Sequence, residues 1–462
     1  MFVVFDIGTS RLKVSAFSEA GDLLGQIAVR HSQCSEGNSV WQSADEWWRN
    51  ACSGFADLMT KYDLEPEYIR GFSVSGRAGA GVFVDSKGTV IEDPWSDNRH
   101  RPQLLEMKKE HPGAPIYALT LLSKYRWLIE NKPKLCHDIR HALYAKDFLL
   151  FRLAGVAITD PSSGPDSLAW LSQEHVDERI LPRAAYPWTV AGELTAQTAA
   201  ALGCRAGIPV AVGAHDGICA NTGCAMLGEG EYALTLGTHA VSRTITTVDH
   251  GQNHRFYCYP PDRHAYGGNS WHIGSTMNWM LTSLAGLPPE LDEKQLEHFN
   301  SRVTRTERDP SLVFLPYMGG QTIPERREPA SGSFHGMSLN TNRDQMVRAI
   351  LQGSAFAIYR TWNEITSITG PAKQVNLTGG GIVFAPWLQL IANLLQQELV
   401  ITDSGVEGRG AAVFCAVALG DYKDIYEAAS AMQPASNIMT PEPLDQLTID
   451  QLGAFSALSA QV

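Results

Sequence analysis

The sequence predicts two α/β domains of related fold, and two matched segments carry that expectation. At residues 3–24, VVFDIGTSRLKVSAFSEAGDLL, an apolar run ends in Asp6 and a Gly8-Thr9-Ser10 turn follows. Alternation then resumes, with Leu12, Val14 and Ala16 on one face and Lys13, Ser15 and Phe17 on the other, which reads as strand, tight turn and strand. At residues 234–245, LTLGTHAVSRTI, a second apolar run enters a Gly237-Thr238 turn and leaves as another β-rich segment. A matched pair of such turns, one opening each half, indicates a duplicated domain with a boundary near residue 226, giving 1–226 and 227–462. The 462 residues, 44% apolar and 19% charged, are enough for two hydrophobic cores.

The first turn carries chemistry as well as geometry. Gly8 lets the backbone approach a ligand closely, Thr9 and Ser10 offer hydroxyl and N–H donors, and Lys13 brings a positive charge, a combination suited to phosphate. The same residues in isolation also make an ordinary hairpin. Asp6, at the end of the first strand, is placed to meet a phosphate-bound Mg2+ directly or through its waters, because Mg2+ keeps several waters and uses few carboxylates.

Along the chain, a third strand is expected at 23–30, then a helix opened by a capping box of Ser43 and Glu46. Trp47, Ala51, Phe55, Leu58 and Met59 recur at helical spacing, which makes Trp47 core and Trp48 rim. A strand at 69–75 runs into Ser75-Gly76-Arg77, followed by Ala78-Gly79-Ala80 with no polar reach. A hairpin at 82–91 turns at Ser86-Lys87-Gly88 and leads to the loop Pro94-Trp95-Ser96-Asp97-Asn98-Arg99, which on its own reads as a solvated loop with a local Asp–Arg pair. His137 and His141, four apart, would share a helix face, but without a third ligand at metal spacing they read as a surface pair. Cys219 and Cys224 likewise lack a partner pair.

The strand Val210–Val212 ends at Gly213-Ala214 and presents Asp216 at its tip, ahead of a small-residue helix. Strand tips are where α/β folds keep their sites, although an Asp there also serves as a helix N-cap. A long helix is expected from about Arg343 to Ile368, capped by Asn342 and stopped at Gly370-Pro371. A strand at 375–378 then delivers Gly379-Gly380-Gly381 ahead of a helix at 386–395. Three glycines at such a junction either form a flexible turn or allow the closest backbone approach to an adenosine and its α-phosphate.

Composition excludes several classes. A net charge of -12 and a pI near 5.6 leave no basic block for nucleic acid. The apolar run before Asp6 is too short for a signal peptide, and His215 and Asp216 interrupt the apolar region from 208 to 228, so no membrane span is expected. The eight cysteines are scattered and read as reduced thiols of a cytoplasmic protein. Neither a Walker A pattern nor a dinucleotide fingerprint is present.

As a set, these segments resemble the FGGY family of carbohydrate kinases. Beyond the two Gly-Thr turns, Trp95-Ser96-Asp97-Asn98-Arg99 is similar to the family's Trp-x-Asp-x-Arg, whose acid commonly bonds sugar hydroxyls. Gly213-Ala214-His215-Asp216 is similar to its Gly-x-x-Asp, whose Asp is the general base. Phe314 to Gly320 and on through Pro324, Ser331 to Met337 and Gly408-Arg409-Gly410-Ala411-Ala412 resemble its second-half motifs. Three departures stand out: Arg77 where a Gln is usual, Gly217 after the Asp, and Gly320-Gln321-Thr322 in place of Gly-Glu-Arg.

The resemblance implies two actin-like (ribonuclease H-like) domains with an interdomain cleft for MgATP and a small carbohydrate. It makes Asp216 the catalytic base, with Arg77, Trp95, Asp97 and Asp216 on the substrate. Gly8, Thr9, Ser10, Lys13, Gly237, Thr238, Gly320, Gly379, Gly380 and Gly381 then face ATP, and Asp6 the Mg2+. The expected acceptor is a neutral ketose of xylulose type or a polyol. A sugar acid is the runner-up, because Arg77 could form a bidentate pair with a carboxylate and Asp216-Gly217 resembles the gluconate-kinase branch. Arg77 could equally pair with Asp97 or another acid within the protein. A non-enzymatic actin-like ATP-binding protein is the rival of another class. No nucleic-acid or membrane partner is expected, and the assembly is open to a homodimer.

Overall fold

The computed structural model describes residues 1–77, 79–111, 116–163, 180–251, 254–259, 263–270, 272–320, 330–402 and 405–461. Ala78, Gln321, Thr322 and Pro324 of the sequence motifs lie outside them. The chain forms two compact units: one of Met1–Ala225, Phe256–His264 and Gly405–Pro434, the other of Met226–Arg255, Ala265–Ser404 and Ala435–Val462.

In unit one, β1 (Phe2–Ile7) is buried along its whole length, as a continuous apolar run requires of a strand covered on both faces. It turns into β2 (Arg11–Phe17), antiparallel to it with Asp6 opposite Lys13, and then β3 (Leu23–Arg30). Helix α1 (Ala44–Lys61) follows, with Ser43 Oγ accepting from the Glu46 N–H at 3.3 Å. The return arm of the expected capping box is absent, because the Glu46 carboxylate accepts instead from the Ser32 N–H at 2.9 Å. Trp47 is buried and Trp48 lies at the edge of the core.

Strand β4 (Gly71–Gly76) lies parallel to β1 on its other side. Strands β5 (Gly81–Val84), β6 (Val90–Glu92) and β7 (His141–Tyr144) form a small separate sheet, followed by the buried helix α2 (Ala145–Ala154). His137 follows a short helix, Pro133–Cys136, and His141 opens β7. The two imidazoles therefore share no helix face, and no cluster of three metal-ligating residues exists among the described residues. Strands β8 (Val190–Glu193), β9 (Pro209–Ala211) and β10 (Ala214–His215) and helix α3 (Asp216–Gly223) complete the sequential part of the unit. The main sheet runs β8-β9-β4-β1-β2-β3, with β10 also paired to β4.

Unit two repeats the central pattern. Strands β11 (Glu231–Leu236) and β12 (Ala240–Thr246) are the antiparallel hairpin around Gly237-Thr238. They are followed by β13 (Arg263–Ser270), α4 (Ile273–Trp279) and α5 (Arg343–Thr369), the last with a full capping box of Asn342 and Gln345. Strand β14 (Gln374–Thr378) lies parallel to β11, as β4 does to β1; α6 (Ala385–Leu395) and β15 (Leu399–Thr402) come next. With β16 (Ser436–Met439), the order is β13-β12-β11-β14-β15-β16. Two sheets, each with a hairpin beside a parallel strand, are the duplication that the paired turns predicted.

Residues Gly405–Pro434, grouped with the second half in the sequence reading, pack in unit one. Helix α7 (Val406–Ala418) lies against α3 through glycines. A Cβ on Gly410 would sit 1.9 Å from the Cys219 carbonyl oxygen, and one on Gly223 would sit 1.9 Å from that of Val406. Gly410→Ala should therefore destabilise the protein by about 1–3 kcal/mol through overpacking. Gly453→Ala, on an exposed helix surface with nothing within 4 Å of the added carbon, should be neutral or stabilising by up to about 1 kcal/mol. Thermal unfolding of the two variants checks both signs.

Candidate active site

The end of β1 holds a buried charge cluster. Asp6 is only 5% exposed, and its Oδ2 lies 3.5 Å from Lys13 Nζ across the hairpin. Lys13 Nζ also lies 3.4 Å from Oε2 of Glu407, in the first turn of α7. Burial pushes the Asp6 carboxyl up to about 6 against the opposing pull of Lys13, with Glu407 and Asp216 adding to the rise. Lys13 is held well above its ordinary value, first by Glu407. Asp6 Oδ1 is buried with no hydrogen-bond partner among the described residues. The turn beside it is closed by Gly8 N–H donating to the Arg11 carbonyl at 3.0 Å, Gln42 Nε2 donates to the Thr9 carbonyl at 2.9 Å, and Thr9 and Ser10 are exposed.

Asp216 begins α3, its side chain 38% exposed. His215 Nε2 lies 3.1 Å from Asp216 Oδ1, while His215 Nδ1 accepts from the Gly217 N–H at 3.1 Å. The His215 N–H donates to Ser162 Oγ at 3.2 Å, and Ser162 in turn donates to Asp160. Asp160 and Asp147 flank Lys146 Nζ at 2.9 and 2.6 Å, all three side chains being at most 1% exposed. Burial alone would lower the Lys146 ammonium, but the two carboxylates hold it above its ordinary value.

Arg77 follows β4, its N–H donating to the Ile7 carbonyl at 3.0 Å. Its guanidinium donates to Gln42 Oε1 at 3.0 Å and lies 5.6 Å from the Trp47 ring centroid. Burial lowers it to about 10, with Asp216 the opposing influence. It makes no ion pair with Asp97 or with any other acid among the described residues. Asp97 is occupied by its near neighbour: Arg99 donates to it from Nε at 2.7 Å and from a terminal nitrogen at 2.5 Å, and the Val40 N–H at 2.8 Å. This pair holds the Asp97 carboxyl well below the usual range despite partial burial. Trp95 is buried between Phe83 and Trp127. Its carbonyl accepts from Lys124 Nζ at 2.6 Å, and burial lowers that ammonium to about 7.

In unit two, a Cβ on Gly274 of α4 would lie 2.0 Å from the Gly237 carbonyl oxygen, and the Gly274 N–H donates to the Thr238 carbonyl at 3.0 Å. The second Gly-Thr turn is thus clamped by a helix start. Gly320 has φ +98° and its N–H donates to the Tyr317 carbonyl at 3.1 Å. In the triple glycine, Gly379 has φ +101° with the Leu236 carbonyl oxygen 2.5 Å from an added Cβ, and Gly381 has Leu236 and Trp387 atoms at 2.9 Å. Gly380 between them has nothing within 4 Å. The outer two glycines answer to the fold, and the middle one leaves open space.

Two α/β units bearing matched Gly-Thr turns define a protein of the two-domain actin-like class. Residues 1–223 match the N-terminal domain, and residues 217–419 the C-terminal domain, of the FGGY family of carbohydrate kinases. The chain belongs to that family, and is an ATP-dependent kinase acting on a small carbohydrate. A gluconokinase of Bacillus licheniformis is 24% identical over 441 residues, covering 86% of this chain and 83% of that one. A xylulose kinase of Escherichia coli (strain K12) is 24% identical over 464 residues, covering 92% of each. The crystal structure of a ligand-bound xylulose kinase from Lactobacillus acidophilus superposes with a TM-score of 0.85 at 20% identity, over 100% of this chain and 98% of that one.

Sequence reasoning named Asp6, Lys13, Arg77 and Asp216, and the structure places all four around the ends of β1, β4 and β10. It missed Glu407, Lys124, His215 and the Lys146–Asp147–Asp160 trio. For His215 a signal existed, a second ionisable residue directly before the candidate base.

The raised Asp6 carboxyl has a consequence for stability. Its folded value lies above that of the unfolded chain, so the ionised form is disfavoured in the fold, and the cost grows as pH rises from about 4 through 6. Asp6→Asn should therefore match or exceed the parent in thermal stability at pH 7.5 without nucleotide, by up to about 2–3 kcal/mol. Melting curves at pH 4.5 and 7.5 check the sign, because the advantage should shrink to about a third at the lower pH.

Proposed function

We propose that the kinase phosphorylates a hydroxyl of a neutral ketose of xylulose type, or of a polyol, with Asp216 as general base. The observation that carries the base assignment is a partly exposed carboxylate at the head of α3, held on one oxygen by His215. In this reading the other oxygen takes the acceptor's proton as its hydroxyl oxygen attacks the γ-phosphorus. The bond from the γ-phosphorus to the bridging oxygen breaks, ADP leaves, and the protonated Asp216 returns its proton to water. Family members named xylulose kinases support the acceptor class. Asp216→Asn should retain ATP binding and lose about 10^2- to 10^4-fold in acceptor-dependent ADP release; near-parental turnover would refute the base assignment.

Mg2+ fits the end of β1. A buried carboxylate oxygen without a partner, and no three-residue ligand cluster among the described residues, suit an ion that arrives with the nucleotide and keeps most of its waters. Asp6 would hold it directly or through water, and it would supply charge neutralisation on the phosphates. Lys13 and the Thr9 and Ser10 hydroxyls add donors for phosphate oxygens on the same turn. Gly237, Thr238, Gly320 and the triple glycine make up the nucleotide side of unit two. Among these, Gly380→Val tests the ligand and spares the fold: ATP affinity by calorimetry should fall about tenfold or more with thermal stability unchanged. Unchanged affinity would remove this loop from the nucleotide site.

A sugar acid is the second reading, favoured by one observation. Arg77 is half-buried, its buried Nε has no hydrogen-bond partner, and no acid among the described residues pairs with it. A substrate carboxylate would complete it. Relatives named gluconokinases are consistent with this acceptor class. ADP release with a panel of pentuloses, hexuloses, polyols and aldonates separates the two readings, and Arg77→Gln should cost an aldonate about 1.5–3 kcal/mol while leaving a ketose within a few-fold. The absence of a membrane-crossing helix among the described residues fits a cytoplasmic enzyme, and a homodimer is compatible with this reading.

A further inference from the structure

His215 is not required by the strand that carries it, nor by the kinase reaction in general, yet it is buried and engaged on three sides. Its backbone N–H is tied to Ser162, which is tied to Asp160 and so to the fully buried Lys146. Its Nδ1 accepts from the Gly217 N–H in the first turn of α3. In a neutral imidazole, an accepting Nδ1 puts the ring proton on Nε2. That nitrogen faces Asp216 Oδ1 at 3.1 Å. The ring is thus fixed in one tautomer by the helix start and offers a single donor to the neighbouring carboxylate. The other charged groups acting on Asp216 are Asp6 from β1 and Arg77 from the end of β4.

We propose that His215 is a positioning residue for the phosphoryl transfer. By holding Oδ1 of Asp216 it stops rotation of the carboxylate about its last bond, and leaves Oδ2 as the oxygen that meets the acceptor hydroxyl. Locking one oxygen in place serves the alignment on which a general base depends, because proton transfer needs the base within hydrogen-bond reach of the hydroxyl as it attacks. The inference rests on the reading of Asp216 as the base.

Two kinds of substitution separate positioning from simple support of the helix. His215→Asn and His215→Ser keep a side-chain acceptor able to cap α3 but are too short to reach Asp216. His215→Gln can both accept from Gly217 and donate to Asp216. Steady-state kinetics on the purified full-length enzyme should show His215→Asn or His215→Ser losing about 10- to 100-fold in kcat, with KM for ATP and acceptor within about threefold. His215→Gln should stay within about threefold of the parent in kcat. Full kcat in a folded Asn or Ser variant overturns the proposal, as does a Gln variant as slow as they are, or a loss confined to KM. Asp216→Asn measured alongside distinguishes the two levels: if it keeps its turnover the base assignment fails, whereas an inactive Asp216→Asn beside a fully active His215→Asn defeats only the positioning role.

Discussion

A carboxylate at the end of a completely buried strand is the constraint from which much of unit one follows. Taking Asp6 out of water costs several kcal/mol unless its charge is answered. Lys13 answers part of it from across the hairpin, and Glu407 holds Lys13 from the other side. That second contact depends on α7 lying close to α3, which in turn depends on glycines at the crossing. One oxygen of Asp6 is still left unbonded. A fold that keeps such a group incompletely satisfied accepts lower stability in return, and groups perturbed in this way cluster at functional sites.

Beneath Asp216 the fold takes the opposite course. Lys146, Asp147 and Asp160 form a buried cluster in which one ammonium is shared by two carboxylates, all three removed from solvent. Such a cluster gains little net stability over apolar packing, but removing one member leaves the others uncompensated. Its value here is geometric, since Asp160 holds Ser162 and Ser162 holds the backbone from which α3 starts. The partly exposed Asp216 therefore stands on rigid ground, whereas the exposed turn of Thr9 and Ser10 is braced, among the described residues, by backbone and by Gln42.

The parts of this molecule legible in its sequence are those whose physics is local. Hairpins announce themselves by alternation, and the two Gly-Thr turns by their position between apolar runs; both appear as β1-β2 and β11-β12. The cap of α5 was readable from Asn342 for the same reason, and Gln345 completes it as a capping box. Half of the α1 capping box failed because Ser32, in the preceding loop, competes for Glu46. Arg77 could not be assigned a partner from sequence, and the obvious acid, Asp97, is claimed by an arginine two residues away. Glu407 lies 394 residues from Lys13, and no periodicity reaches so far. His141 went to a strand edge, where a four-residue spacing means nothing.

Gly405–Pro434 completes a unit whose main sheet is otherwise built from the first 225 residues. During synthesis, that sheet and α3 emerge long before the helix that covers them, with all of β11 to β15 made in between. Until α7 arrives, the small-residue face of α3 and the apolar side of β1 have no cover, and contacts of such long sequence separation close slowly. The nascent chain must therefore pass through a stage in which its first domain is threaded but unfinished. A chain released before residue 405 would leave that surface uncovered, which makes the N-terminal half a poor candidate for expression on its own.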